Sequence, residues 1–222
     1  MPNIEATNDG RVLHSGLGTS WDDARGNTPG SEVSTVKQNN AIASAKTSGR
    51  GGSAWYVSRG FMTFDTSSVS VTPSSATLKV YGFDRNDGDV IALKSDYSST
   101  LATSDFDNIT NATTPLGNTD GSGAGTFAST SVVEYSSEIT TWNLEAYNDI
   151  SLNSDALSDM VSLDDFKVCL INYDLDFLDI EPSGFVYNGF YTSSESGKEP
   201  YIDYTAGTAA VADNATFFGA NF

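Results

Sequence analysis

Asp174 and Asp176 are the two carboxylates whose spacing in the sequence best suits chemistry. They lie at the end of a predicted β-strand, residues 165–177, whose middle is apolar on both faces. If that strand continues, alternate residues project on the same side, so the two carboxylates lie together. A pair placed in this way can hold a hard cation such as Ca²⁺. The alternative, solvated charges at the end of a strand, stays open.

The acidic stretch at residues 84–89 has the composition of a calcium-binding loop without its spacing. An EF-hand loop requires Asp or Asn at positions 1, 3 and 5, Gly at position 6 and Glu at position 12. Counted from Asp84, Gly88 falls at position 5, Asp89 at position 6 and Ser95 at position 12. The stretch is therefore predicted to be a hairpin turn.

Few residues could serve as a nucleophile or its base. The chain has one histidine, His14, and one cysteine, Cys169, and it lacks a Gly-x-Ser-x-Gly motif. His14 is predicted to be structural or exposed, and Cys169, inside an apolar run, to be a buried thiol. Two of the 29 acidic residues could catalyse glycoside hydrolysis, but the sequence does not identify which two they would be. We therefore predict a protein that is not an enzyme and needs no cofactor besides a possible Ca²⁺.

Three tryptophans are candidates for binding a sugar, because carbohydrate sites stack sugars on exposed aromatic rings beside polar groups. Trp55 and Trp142 lie in apolar patterns typical of a core. Trp21 lies in a stretch rich in Gly, Asp and Asn, which predicts a loop. Trp21 is therefore the candidate ligand-binding residue.

The net charge of −18 is concentrated in the second half of the chain. Residues 1–94 hold nine basic and nine acidic side chains, whereas residues 95–222 hold two basic and twenty acidic ones. Such a surface repels phosphate backbones, so nucleic-acid binding is excluded as a predicted function. Arg50 and Arg59 are predicted to pair with acidic side chains, with an anion as the alternative partner.

The sequence pattern predicts neither a membrane-spanning segment nor a signal peptide. No run of 18 apolar residues occurs, and the first residues lack a basic segment followed by an apolar one. We expect a chain that folds in the cytoplasm of the cell that makes it. Release in a virus particle would still bring it outside that cell.

Two stretches, residues 55–64 and 166–173, carry apolar side chains on both faces of a predicted strand. In the first stretch, one face carries Trp55, Val57 and Phe61, and the other carries Tyr56, Met62 and Phe64. A strand with two apolar faces is central and covered on both sides. We predict that these two strands form the middle of a sandwich.

The remaining patterns predict further strands and one short helix. Predicted strands cover residues 4–7, 11–15, 40–47, 76–83, 90–94, 142–152, 185–192 and 201–205. A turn at residues 8–10 joins the first two, and Asn153 caps the helix. The predicted fold is all-β: a jelly-roll-like antiparallel β-sandwich over residues 1–206, with one short helix and an extended C-terminal tail.

The tail, residues 207–222, contains three phenylalanines beyond the last predicted strand. Phe217, Phe218 and Phe222 have little reason to stay in water, so we expect them to dock on a partner subunit or another protein. Docking of the tail on its own domain is the alternative.

Three segments together are similar to the DNRLRE-type jelly-roll modules. They are Arg59-Gly-Phe-Met-Thr-Phe-Asp-Thr-Ser-Ser with the later Ser75-Ala-Thr-Leu-Lys-Val-Tyr, the segment Tyr147-Asn-Asp-Ile-Ser-Leu-Asn, and residues 190–204. These modules share Arg-x-x-x-x-Phe-Asp, Ser-Ala-Thr-Leu and Ser-x-Glu…Pro-x-Leu-x-x-x-Tyr. Here the last element departs, with Ile202 in place of Leu and a closer Tyr204. Over residues 4–206 the chain resembles a second group even more closely. These proteins are encoded by tailed phages in environmental, especially marine, sequence data.

The resemblance implies two functions. Phage relatives imply a non-enzymatic structural or surface protein of a virus particle, such as a head-decoration, fibre or tail-associated subunit, with or without an adhesive role. Its expected partners are other virion proteins and copies of itself, and its expected location is the virion surface. Bacterial relatives imply the alternative, a carbohydrate-binding module for a host or environmental polysaccharide.

Overall fold

The computed structural model describes residues 2–17, 20–26, 29–49, 52–112, 127 and 131–208. Within these residues the fold is a mostly antiparallel β-sandwich, which confirms the predicted class. Its strands are β1 Asn3–Leu17, β2 Glu32–Ser34, β3 Gln38–Gly49, β4 Gly52–Asp65, β5 Ser75–Asn86, β6 Val90–Lys94, β7 Tyr147–Ser151, β8 Asp165–Asn172, β9 Phe185–Phe190 and β10 Tyr201–Thr205. Its helices are α1 Trp21–Gly26, α2 Ser154–Ser162, a 3-10 helix at Thr103–Asp105 and a π-helical turn at Tyr173–Phe177.

Two sheets share strands β1 and β5. In the smaller sheet, β10 pairs with the start of β1 and with β5, and β5 pairs with β7. In the larger sheet, β1 lies between β2 and β4, and β5 ends beside β9. Register shifts between Ala6 and Asn8 and between Gly82 and Asp84 mark where the shared strands change sheet. Such bulges bend a strand and allow one chain segment to serve two sheets.

Strand β4 is the centre of the larger sheet, as predicted. Along one edge it pairs with β1, and along the other it pairs first with β3 and then with β8. Its two faces enter different cores. Met62 and Phe64 lie in the core between the sheets, and Trp55, Val57 and Phe61 lie in a second core on the opposite face. Strand β8 divides its side chains between the same two cores, so the predicted central pair is confirmed.

Helix α2 covers one end of the core between the sheets. The Asn153 side-chain oxygen accepts the N–H groups of Asp155 and Ala156, which confirms the predicted cap. Ala156 and Met160 are fully buried and pack into this core. The position of α2 follows from its apolar stripe and its capped start.

Three local predictions are wrong. The predicted turn at residues 8–10 is a bulge inside β1. The bulge brings Gly10 close to β2, so that a Cβ on Gly10 would lie 2.4 Å from the Ser34 carbonyl oxygen. The predicted hairpin at residues 84–89 is instead the end of β5 and a crossing within the larger sheet, because β5 ends beside β9 and β6 pairs with β8. The strand predicted for residues 142–152 begins at Tyr147, because the chain turns through a positive φ at Glu145.

The described chain ends three residues beyond β10. Phe217, Phe218 and Phe222, the predicted docking residues, lie outside the described residues. Among the helices of the described segments, none has the length and apolar character that crossing a bilayer requires.

Candidate functional site

Arg59 occupies the centre of a buried ion cluster on one face of β4. Its side chain is fully buried, and all five of its N–H groups are hydrogen-bonded. Nε and Nη2 donate to the two carboxylate oxygens of Asp176, at 2.8 and 3.0 Å. Nη1 donates to Asp107 Oδ1 at 2.6 Å and to the Phe106 carbonyl oxygen at 2.9 Å. Nη2 also donates to the Arg25 carbonyl oxygen at 3.0 Å. The guanidinium therefore joins β4 to three other segments.

Helix α1 contributes a second buried arginine. Arg25 Nη2 donates to the Asp176 carbonyl oxygen at 2.6 Å, and Nε donates to Asp176 Oδ1 at 3.3 Å. Arg25 Nη1 forms an ion pair with Asp179 Oδ1 at 2.7 Å. Trp21 lies one helical turn before Arg25, and its Nε1 donates to the same Asp179 carboxylate at 3.0 Å. Asp176 and Asp179 thus dock α1 onto the turn that follows β8.

The charges of this cluster stabilise one another. Burial alone would lower the pKa of Arg59, but the carboxylates of Asp176 and Asp107 hold that pKa above its ordinary value. The rings of Phe106 and Phe127 lie 4.2 and 5.2 Å from the Arg59 guanidinium carbon and exclude water from it. The predicted pairing of Arg59 with acidic side chains is confirmed. Arg50 lies outside the described residues.

The two predicted cation ligands do not lie together. After β8 the chain winds into the π-helical turn, because the Asn172 side chain accepts the Leu175 N–H. Asp176 consequently points into the protein, where the two arginines occupy both of its carboxylate oxygens. Asp174, two residues earlier in the same turn, is exposed. The predicted pair at Asp174 and Asp176 is therefore corrected, because the chain does not continue as a strand.

Asp174 belongs instead to an acidic cluster that sequence spacing does not indicate. One carboxylate oxygen from each of Asp89, Glu138 and Asp174 lies within 4.8 Å of the others. Desolvation raises the pKa of Glu138, and the neighbouring carboxylates of Asp89 and Asp174 raise it further. Three adjacent carboxylates are oxygen ligands of the kind that a hard cation prefers. We name this set the acidic triad.

Two clefts adjoin at the acidic triad. A cleft of about 430 Å³ is lined by Glu138 and by hydroxyl and amide side chains of residues 136–151. A smaller cleft of about 250 Å³ is lined by Asp89, Asn188 and Arg85. Thr140 lines both clefts, so they form one polar surface along the segment that precedes β7.

Trp21, the predicted sugar-binding residue, is 5% exposed. Its ring packs against Trp55 at 5.8 Å between centroids, and its Nε1 is bonded to Asp179. The expectation of an exposed ring is therefore wrong, because residues 21–26 form helix α1 rather than a loop, and that helix turns Trp21 into a core.

A row of partly exposed aromatic rings occurs elsewhere, on the outer face of the smaller sheet. Tyr201, Tyr147, Tyr81, Tyr191 and Phe83 follow one another there in edge contacts, with centroids 5.0, 5.0, 5.5 and 5.1 Å apart. All of these rings except Tyr191 are half-buried, and we name the row the aromatic strip. Its members come from four segments of the chain, so sequence periodicity does not connect them.

Two lysines lie over the aromatic strip. Lys198 Nζ is 3.9 Å from the ring centroid of Tyr191 and 3.2 Å from Glu145 Oε2. Lys37 Nζ is 5.3 Å from the centroid of Phe83. Aromatic faces beside charged hydrogen-bonding groups can hold a sugar ring or a protein side chain.

The candidate nucleophile Cys169 is buried, and the candidate base His14 is half-buried. Cys169 is a buried free thiol, as predicted, and burial raises its pKa, so it stays protonated at neutral pH. Partial burial lowers the pKa of His14, which keeps the imidazole neutral, and the ring lies 5.8 Å from that of Phe106.

Asp9 is a further buried carboxylate, positioned by the bulge in β1. It is 3% exposed and accepts hydrogen bonds from Ser193 N at 2.7 Å and Ser193 Oγ at 2.8 Å. Desolvation outweighs these bonds and raises the pKa of Asp9 to about 6. Asp9 thus changes charge close to neutral pH while it holds the loop after β9 against β1.

The chain matches no protein-family model and no curated protein. The resemblance to DNRLRE-type modules therefore stays an expectation from the sequence segments quoted above. In the structure, Arg59 from the first of those segments is the centre of the buried ion cluster.

We expect Asp176→Asn to lower the free energy of unfolding by about 3–5 kcal/mol, because it leaves two buried guanidinium groups without their shared carboxylate. The matched control is Asp149→Asn, whose carboxylate is 60% exposed and pairs with Lys79 at 2.6 Å. That change should cost less than about 1 kcal/mol. Urea denaturation followed by tryptophan fluorescence measures both variants. Equal losses would contradict a structural role for the ion cluster.

We expect the stability of the native chain to fall, relative to Asp9→Asn, as the pH rises from 4 to 7. The folded pKa of Asp9, about 6, lies above the ordinary value of 3.8, so the folded state binds the proton more tightly than the unfolded state. Deprotonation therefore removes up to about 3 kcal/mol of stability over this interval. Urea denaturation at a series of pH values tests this, and parallel curves for the two proteins would refute it.

Proposed function

We propose that this chain is a non-enzymatic structural or surface protein of a virus particle, such as a head-decoration, fibre or tail-associated subunit. It is made in the host cytoplasm and leaves the cell on the particle, where it contacts other virion proteins and copies of itself. The observation that carries the proposal is the buried ion cluster, in which Arg25, Arg59, Asp107 and Asp176 serve as internal ties. These charged side chains at the centre of the domain therefore hold its segments together as a rigid scaffold. The resemblance to phage proteins supports the same function.

The acidic surface is compatible with this role. A chain with 29 acidic and 11 basic residues repels nucleic acid and other acidic surfaces, which keeps a displayed subunit soluble. Contacts with the particle then require apolar surface. Phe217, Phe218 and Phe222 in the tail provide it in this proposal.

Deletion of residues 209–222 should leave the thermal midpoint of the domain nearly unchanged and abolish its incorporation into particles. The deletion leaves Gly207 in place, because a Cβ on Gly207 would lie 1.9 Å from the Thr72 carbonyl oxygen and this residue packs on the domain. Incorporation is measured by density-gradient sedimentation of particles assembled with each form, and folding by differential scanning fluorimetry. Replacing Phe217, Phe218 and Phe222 with Ser provides a second variant of full length.

Three results would contradict parts of this proposal. If the full-length chain is missing from purified particles, the virion function is wrong. If the truncated chain is incorporated normally, the tail is not the anchor. If the truncated chain does not fold, the tail belongs to the core of its own domain.

A carbohydrate-binding module is the second candidate, and the aromatic strip favours it. A row of rings flanked by Lys37, Lys198 and Glu145 offers both stacking and hydrogen bonding to a polysaccharide. In this proposal the strip replaces Trp21 as the sugar-binding surface. An adhesive subunit of a particle would combine the two functions.

Tyr147→Ala and Tyr81→Ala should each weaken retardation by a bound polysaccharide about 3- to 10-fold in affinity electrophoresis, because each removes one stacking ring worth about 0.5–1.5 kcal/mol. Phe185→Ala is the matched control, since Phe185 is 36% exposed and lies outside the aromatic strip. Variants that are retarded like the native chain, or a native chain that no polysaccharide retards, would refute this candidate.

A further inference from the structure

The acidic triad draws together three segments that are distant in sequence. Asp89 lies in the crossing between β5 and β6, Glu138 in the segment before β7, and Asp174 in the π-helical turn after β8. Backbone hydrogen bonds already align these segments. Val90 and Ile139 exchange a pair of them, and Tyr173 N donates to the Asp89 carbonyl oxygen at 2.8 Å. The three carboxylates are therefore held in place by the fold.

Asn188 gives an independent sign of a ligand beside the acidic triad. It is 1% exposed, and its Nδ2 donates to the Gly88 carbonyl oxygen. Its Oδ1 is buried and has no hydrogen-bond partner within the described residues. Asn188 lines the smaller cleft together with Asp89 and Thr140. Since buried acceptors are nearly always paired, this amide oxygen requires a hydrogen-bond donor in the cleft, such as the hydration water of a cation.

The geometry locates the acidic triad where the two clefts meet. Asp89 lines the smaller cleft and Glu138 the larger one, and their carboxylates are adjacent. Arg85, the basic residue of the smaller cleft, directs its Nη1 to the Trp142 carbonyl oxygen at 2.7 Å. The side-chain groups around the junction are thus mainly oxygen acceptors, which favour a cation.

The ligand atoms identify the class of cation. Carboxylate, amide and hydroxyl oxygens suit hard cations, whereas Zn²⁺ and Cu²⁺ prefer His and Cys ligands, which the acidic triad lacks. Ca²⁺ accepts ligands in irregular geometry from separate segments and retains some of its water, whereas Mg²⁺ demands a near-ideal octahedron. The net charge of −18 further raises the local concentration of divalent cations.

We propose that Asp89, Glu138 and Asp174 bind one Ca²⁺ ion at the junction of the two clefts, with the Asn188 amide oxygen accepting from its bound water. The ion ties the β5–β6 crossing and the turn after β8 to the segment before β7. That segment covers an edge of the core between the sheets, where Tyr135, Ile139 and Trp142 pack. Binding therefore stabilises the domain without taking part in the buried ion cluster.

The test is a calcium titration of the full-length chain after treatment with EDTA, at constant ionic strength. Isothermal calorimetry gives the stoichiometry, and scanning fluorimetry gives the shift in thermal midpoint. We expect one saturable site in the native chain. Glu138→Gln and Asp174→Asn should each weaken it at least 10-fold, and both residues are exposed, so the variants should fold. Mg²⁺ should bind more weakly than Ca²⁺.

Glu181→Gln is the matched control, because it removes the same charge from an exposed carboxylate that pairs with Lys46 at 2.8 Å. It should bind Ca²⁺ like the native chain. If Ca²⁺ shifts all variants equally, the ion only screens the acidic surface and the proposal is wrong. If the native chain shows no saturable binding, the cleft holds water alone and the proposal is also wrong.

Discussion

The bidentate pair between Arg59 and Asp176 is the interaction on which the arrangement of this domain depends. Burying two opposite charges is unfavourable unless their geometry is good and every remaining hydrogen-bonding group is satisfied. Here Arg59 meets that condition through Asp107, Phe106 and the Arg25 backbone as well as Asp176. The condition is strict, because displacing any contributing segment leaves a buried donor without an acceptor. The charge pair thus fixes helix α1, the loop after the 3-10 helix and the turn after β8 relative to β4.

Strand β4 is buried on both faces, and this explains why such a cluster can form. One face of β4 closes the core between the sheets, where Met62 and Phe64 pack. The other face needs its own cover, and no third sheet supplies it in the described part of the chain. Helix α1 and the loops around residues 97–112 cover it instead. The backbone groups of buried loops lack the hydrogen-bond partners that a β-sheet provides. Polar side chains inside the core must therefore bind these groups. Arg59 donates to two such backbone groups, the carbonyl oxygens of Phe106 and Arg25.

Sequence predicted the elements whose signals are local and missed the contacts that are not. The two faces of β4 and the Asn153 cap depend on neighbouring residues, and both were predicted correctly. The Arg59 partners lie 117 and 48 positions away, and no periodicity links them. One signal was present, since an arginine inside a strand apolar on both faces must have buried partners. The failure at Asp176 has a local cause: the Asn172 side chain ends β8 and starts the π-helical turn, which reverses the side on which Asp176 projects.

Burial gives the carboxylates of one acidic chain three different roles. Asp176 is buried against two guanidinium groups, so its charge is compensated and its role is structural. Asp9 is buried with Ser193 as its hydrogen-bond donor and forms no ion pair with the described residues, so desolvation dominates and its charge follows the pH. Glu138 and Asp174 are exposed beside Asp89, and the repulsion among the three carboxylates favours the cation that we propose there. The acidic surplus is therefore not a uniform surface property. Each carboxylate acts according to which positive group the fold places beside it, and where the fold places none, the proton takes that position or, in our proposal, a calcium ion does.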